Sequence, residues 1–120
     1  MMSQSNVGQD IGNAWAAHRS GDQQSAIDGF ERTLSRQPDS VDAHYGKGLA
    51  LRKLGRNDDA IQSFQTALEL AQAALIAVRK VSDTSGNLNT SNELGSTDDD
   101  RYMMLIRMLK QRLEELGSTA

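Results

Sequence analysis

The chain has no cysteine among its 120 residues and a single proline. The lack of cysteine excludes disulfide bonds, thiolate chemistry and cysteine-ligated metal sites. No stretch approaches the roughly 18 apolar residues that a membrane-spanning helix needs. We therefore expect neither a disulfide framework nor membrane insertion.

A block of charge of one sign is also missing. The 13 basic and 16 acidic residues give a net charge of −3, without the basic cluster that binding to nucleic acid requires. Residues Met1–Asp10 lack the apolar segment of a secretory signal, so we expect a cytoplasmic protein. The length allows one main domain.

Motifs that carry catalysis are absent from the sequence as well. There is no glycine-rich phosphate loop, no nucleophile elbow and no paired-acid arrangement. The two histidines, His18 and His44, share no carboxylate pair at the spacing of metal ligands. We therefore predict a protein that is not an enzyme and that needs no metal or cofactor.

What the chain does contain is an internal repeat with a spacing of 34 residues. Seven residues of the first block recur in the second: Gly12, Ala16, Gly21, Ala26, Ile27, Phe30 and Leu34 return as Gly46, Ala50, Gly55, Ala60, Ile61, Phe64 and Leu68. A period of about this length is typical of units made of two short amphipathic helices, which bury their apolar faces by stacking on one another.

Helix-ending residues divide each block into two helices. Gly21 ends the first helix, Pro38 closes the second, and Gly55 ends the third. Within each of these helices, apolar residues recur at steps of three and four residues. The pattern predicts two helical hairpins over 9–81, after a flexible amino terminus at 1–8.

The end of the second block leaves two readings open. No helix breaker interrupts the run over 58–81, so it forms one long helix or turns near 71–73 and begins a degenerate third repeat. The segment 82–97 is rich in Ser, Thr, Asn and Gly, which predicts a flexible loop. A last amphipathic helix is expected over 98–117.

This last helix has an apolar face that is wide and rich in methionine, and Met adapts to irregular contacts. The face covers the open end of the repeats within the same chain, or it joins another subunit. The residues that would form such an alternative interface are Tyr102, Met104, Leu105, Ile106, Met108, Leu109 and Leu113.

The two blocks resemble the tetratricopeptide repeat. The family places small residues where this chain has Ala14, Gly48, Ala26 and Ala60, an aromatic residue at Phe30 and Phe64, and a proline at Pro38. The resemblance implies an all-α fold of helical hairpin repeats, an α-α superhelix, here with a carboxyl-terminal capping helix. It also implies a binding function.

In the family, the first helix of each hairpin lines a concave groove that holds a peptide or a helix of a partner protein. The matching positions are Ile11, Gly12, Trp15 and Arg19 in the first unit, and Asp42, Tyr45, Gly46, Leu49 and Lys53 in the second. Aromatic, aliphatic and cationic side chains together suit an extended peptide with apolar side chains and an acidic group.

Two readings of these positions stay open. Gly12 and Gly46 let a partner's backbone approach, or they ease contact between helices. Likewise, Arg19 and Lys53 bind a ligand, or they complement helix carboxyl ends. We predict an adaptor, scaffold or assembly factor that binds a protein segment. The alternative is a structural subunit of a larger complex or a homo-oligomer, joined through the last helix.

Overall fold

The computed structural model describes the backbone of residues 7–85 and 88–117, and the side chains of residues 8–80 and 99–117. Over these residues the chain forms five α-helices and no strand, which confirms the all-α prediction. The helices are α1 (Val7–Ser20), α2 (Gln23–Arg36), α3 (Val41–Lys53), α4 (Asn57–Ser85) and α5 (Leu88–Glu115). Residues 1–6 of the predicted flexible segment 1–8 lie outside the described part of the chain.

The two hairpins contain the same turn, and its two copies are 34 residues apart, as in the sequence repeat. At Gly21, where φ is 94°, the N–H of Asp22 donates to the carbonyl of Ala17 at 2.9 Å. The equivalent bond after Gly55, where φ is 80°, is also 2.9 Å long. Glycine reaches positive φ without the steric cost of a Cβ, and the turn satisfies carbonyls at the helix end.

Side-chain oxygens begin the next helices. The Asp22 carboxylate accepts the N–H of Ser25 at 3.2 Å and its hydroxyl at 2.7 Å, so it caps α2. These hydrogen bonds from the Ser25 hydroxyl and N–H favour the charged form and lower the pKa of Asp22. Ser40 caps α3 in the same manner, accepting the N–H of Ala43 at 3.2 Å.

The Asp22 cap gives the stability of the fold a dependence on pH. Because the folded-state pKa is lowered, the charged cap stabilises the fold above the unfolded-state pKa, and this contribution is lost as pH falls through the folded-state pKa. An NMR titration of the Asp22 carboxyl carbon should show the lowered pKa, and Ser25→Ala should raise it toward its ordinary value. An unchanged pKa in that variant would contradict the assignment.

Phenylalanine rings fill the space left by two glycines of α3. The ring of Phe30, on α2, lies directly where a Cβ of Gly46 would be, and a Cβ on Gly48 would lie 2.5 Å from Cε1 of Phe64. Both rings are fully buried. Phe30 thus packs the first hairpin against the second, while Phe64 packs α4 against α3 inside the second hairpin. Such close approach is available only where the side chain is missing.

Within the first hairpin, α1 and α2 also meet at small residues. A Cβ added at Gly29 would lie 2.8 Å from the Cβ of Ala14. Ala14 and Ala26 are buried. Ala14, one of the small residues of the repeat pattern, therefore lies at the contact between α1 and α2.

Helix α4 is continuous, so of the two readings of 58–81 the single long helix is the one observed. Its 29 residues correspond to a rod of about 43 Å. The structure differs from the prediction at 82–97, because α4 continues to Ser85 and α5 already begins at Leu88. Helical backbone therefore occupies most of the expected loop, and the last helix begins earlier than residue 98.

Helix α5 folds back along α4. Leu109 and Leu113 are fully buried, and Ile106 and Leu116 pack against the core. Helix α5 thereby covers the second hairpin within the same chain, as one of the two predicted roles of this helix requires.

Three ion pairs show the direction of α5 relative to its neighbours. Near the far end of α4, Arg79 pairs with Asp99 at 3.3 Å. Two further pairs tie α5 to α3: Arg101 to Asp42 at 3.4 Å, and Glu115 to Arg52 at 2.7 Å. These partners lie at opposite ends of α3, so α5 runs antiparallel to α4 and parallel to α3.

Phe64 gives a direct test of this packing. Because the ring is fully buried, Phe64→Ala should lower the free energy of unfolding by about 3 to 5 kcal/mol. Urea unfolding followed by circular dichroism at 222 nm measures the change. Phe64→Leu is the control and should cost less, since most of the buried volume remains. A loss below about 1 kcal/mol for Phe64→Ala would contradict the packing.

Candidate functional site

The predicted groove residues differ widely in exposure. Gly12, Arg19 and Lys53 are exposed, and Gly46 is buried. The other five are partly buried: Ile11, Trp15, Asp42, Tyr45 and Leu49. Of these five, all but Asp42 pack against the hydrophobic core. The predicted site therefore shares much of its apolar surface with the core.

The two aromatic residues of this set lie together. The ring centroids of Trp15 and Tyr45 are 6.4 Å apart, which joins α1 to α3. Behind them, Trp15 packs edge-on against Phe30 at 5.1 Å, and Tyr45 lies 5.8 Å from Phe64. Aromatic pairs at these distances are stabilising. Truncating Trp15 or Tyr45 would therefore disturb the fold as well as any ligand contact.

The two repeat-related glycines have different surroundings. Gly12 is exposed, and apart from its chain neighbours and the backbone of its own helix, no heavy atom of the described structure lies within 4 Å of where its Cβ would be. At Gly46 that position is held by the Phe30 ring. A close approach of a partner's backbone, expected at both positions, is therefore blocked at Gly46, which instead makes room for the core. Gly12 still offers open space.

Alanine substitution separates the two roles. Gly12→Ala should stabilise the protein by up to about 1 kcal/mol, because α1 gains helix propensity without a clash. Gly46→Ala should destabilise it by about 1 to 3 kcal/mol, because the Phe30 ring must move. Thermal and urea unfolding of both variants measure these changes. Equal effects at the two positions would show that the Phe30 contact is wrong.

Arg19 and Lys53 occupy equivalent positions in the two units, near the carboxyl ends of α1 and α3. Both are exposed, and neither forms an ion pair within the described part of the chain. Their charge complements the helix carboxyl ends. It is also available to an acidic group from outside.

A cleft of about 530 Å³, here named the inner cleft, opens at the amino-terminal end of α3. It brings together Ile11 and Asp42 from the predicted groove and Tyr102 from the predicted alternative interface. The remaining lining residues come from the α2–α3 connection, from α4 and from α5: Gln37, Asp39, Ser40, Val41, Leu70, Ala73, Ala74 and Arg101. The predicted groove and the predicted alternative interface thus meet in one cavity.

Another cavity, of about 500 Å³, lies between α2, α3 and α4. Its lining is mostly polar, and its charges are largely paired within the chain. Lys47 lies 3.3 Å from Glu31, and Arg56 lies 2.9 Å from Asp59. Because these charges are paired within the chain, this cavity has little free charge to offer a ligand.

The residues of the predicted alternative interface are also divided by burial. Leu109 and Leu113 are fully buried inside the chain and are not available to another subunit in this conformation. Met104 is 58% exposed. The remaining four are partly buried: Tyr102, Leu105, Ile106 and Met108. Most of this apolar face is therefore used within the chain.

Among the described residues, no group of three or more His, Asp or Glu side chains could hold a metal ion. In the same part of the chain, no helix combines the length and the apolar character needed to cross a membrane.

The contribution of α4 and of Arg101 to the inner cleft was not predicted from the sequence. Leu70, Ala73 and Ala74 gave no local signal, because they continue an ordinary helical pattern. Arg101 pairs with a residue 59 positions away in the chain. Such a contact depends on how α5 folds back, which periodicity does not specify.

Comparison with known families agrees with this architecture. A family model described as a tetratricopeptide repeat matches residues 11–79, which is more than half of the chain. The match begins within α1, covers α2 and α3 completely, and ends at Arg79, about four fifths of the way along α4. A search of curated proteins gives no match.

Proposed function

We propose, from the premise that this chain belongs to the tetratricopeptide repeat family, that it is a non-catalytic adaptor, scaffold or assembly factor that binds a segment of a partner protein. Repeats of this family generally serve as protein interaction modules and do not carry catalysis. The proposed site is the surface formed by the exposed and partly buried groove residues of α1 and α3, here called the α1–α3 surface.

The observation that carries this proposal is that two cations without an ion pair in the described structure lie on the same helices as a pair of aromatic side chains. Arg19 and Lys53 have no ion pair in the described structure. Beside them on the same two helices lie the partly buried Trp15 and Tyr45, whose rings are 6.4 Å apart. A peptide with apolar side chains and an acidic group would match both features.

The alternative role, a structural subunit joined through α5, has less support. Its strongest apolar positions, Leu109 and Leu113, are already buried against the rest of the chain. Releasing them to a second subunit would expose the core that they cover. We therefore favour binding at the α1–α3 surface.

Selection from a phage-displayed random-peptide library on the purified protein tests the proposal. We expect enriched peptides to carry acidic residues near apolar ones. The double variant Arg19→Glu and Lys53→Glu should weaken their binding by roughly tenfold or more, since each reversal replaces attraction by repulsion. Fluorescence polarisation of labelled peptides measures the affinity, and Trp15, the single tryptophan, gives an intrinsic signal.

The matched control is Arg107→Glu with Lys110→Glu. Both are exposed cations of α5, and the double change alters the net charge by the same amount. Circular dichroism and light scattering verify that both double variants keep the fold and the mass of the native protein. Equal loss of binding in the two double variants, or no enriched peptide at all, would overturn the proposal.

A further inference from the structure

The inner cleft exists because α4 does not end where the repeat ends. Residues 70–74 of α4 are equivalent, at the 34-residue spacing, to residues 36–40, which leave α2 and form the turn before α3. In α4 the same positions stay helical, so Leu70, Ala73 and Ala74 form one wall of the cleft. Helix α5 forms another wall of the cleft through its residues Arg101 and Tyr102.

We propose that the inner cleft is a second binding subsite, which takes an apolar side chain from the same extended partner segment whose acidic group binds Arg19 and Lys53. This inference rests on the proposed function, because it assumes that a protein segment lies along the α1–α3 surface. It adds the position of an apolar anchor and therefore the direction of the bound segment.

The lining of the cleft suits an apolar anchor. Its apolar contributors come from four helices and include Ile11, Val41, Leu70 and Tyr102. Ala73 and Ala74 keep the α4 side open, because their side chains are short. The volume of about 530 Å³ is large enough for a side chain. The lining also includes polar residues, so the apolar anchor would contact the part of the cleft formed by Ile11, Val41, Leu70 and Tyr102.

The charge of the cleft lining sets the direction in which the partner segment binds. Asp39 and Asp42 line the cleft, and Asp42 is already paired with Arg101. An acidic group of the partner would be repelled by the unpaired charge there, whereas Arg19 and Lys53 attract it at the opposite ends of α1 and α3. The anchor therefore lies at the amino-terminal ends of these helices, and the acidic group at their carboxyl ends.

The geometry also sets the spacing within the partner segment. At 1.5 Å per residue, Ile11 and Arg19 are separated by about 12 Å along α1, and Asp42 and Lys53 by about 16 Å along α3. An extended peptide rises about 3.3 to 3.6 Å per residue. The anchor and the acidic residue should thus be about four or five residues apart. Gly12, exposed and open, leaves room for an extended backbone between them.

Filling the cleft from α4 tests the subsite. Ala73→Phe places a ring in the cleft and should weaken the binding of library-selected peptides by roughly tenfold or more. Ala77→Phe is the matched control: it lies one turn further along α4, is also exposed, and does not line the cleft. It should leave the affinity unchanged within about twofold. Both changes leave the residues of α1 and α3 themselves unaltered.

A second measurement varies the ligand. Glycine and serine residues are inserted or removed between the apolar and acidic residues of one selected peptide. Affinity should peak at a separation of about four or five residues and fall on either side. A best separation of about eight to eleven residues would indicate a helical ligand and would overturn the extended mode.

The outcomes separate this inference from the proposed function. If Arg19→Glu with Lys53→Glu abolishes binding while Ala73→Phe and the spacer length have no effect, the α1–α3 surface binds and the cleft does not. If the charge-reversed protein binds as well as the native one, the proposed function itself fails. Loss of binding in both Ala73→Phe and Ala77→Phe would assign the effect to the fold and overturn the subsite.

Discussion

Two phenylalanine rings occupy space that two glycines of α3 leave empty, and the relative positions of the first four helices depend on it. Phe30 fits only because Gly46 has no side chain, and Phe64 fits only because Gly48 has none. Because the glycines lie two residues apart, they present different sides of α3 to the two rings. A single helix is thereby packed on one side by the preceding hairpin and on another by its own partner. The aromatic contacts of Trp15 and Tyr45 extend the same cluster toward the surface.

Much of this arrangement could be predicted from the sequence, because it depends on local pattern. The 34-residue register of Phe30 with Phe64 identified the repeat, and Gly21 and Gly55 marked turns that the structure builds with the same hydrogen bond. The uninterrupted run after Ala60 allowed a long helix, which is observed. The segment 82–97 differed, since Ser, Thr, Asn and Gly have low helix propensity, but propensity is a weak prior that context overrides.

The candidate site was harder to predict from local sequence pattern. A residue's repeat position does not say whether its side chain meets solvent or the neighbouring hairpin, so Gly12 and Gly46 looked alike although one is open and the other is covered by Phe30. The inner cleft depends on the return of α5 and on the Arg101–Asp42 pair, which joins residues 59 positions apart. Neither follows from periodicity. The cationic positions Arg19 and Lys53, in contrast, were visible in the sequence because they recur with the repeat.

The return of α5 has a consequence for synthesis. A chain emerges from the ribosome with its amino-terminal elements first, and these begin to fold before the rest is made. Both hairpins precede α5 in the chain, so they leave the ribosome before Leu109 and Leu113, which cover the second hairpin. During that interval the apolar surface that these leucines bury is open to other nascent or unfolded chains, which favours aggregation until α5 has emerged and packed.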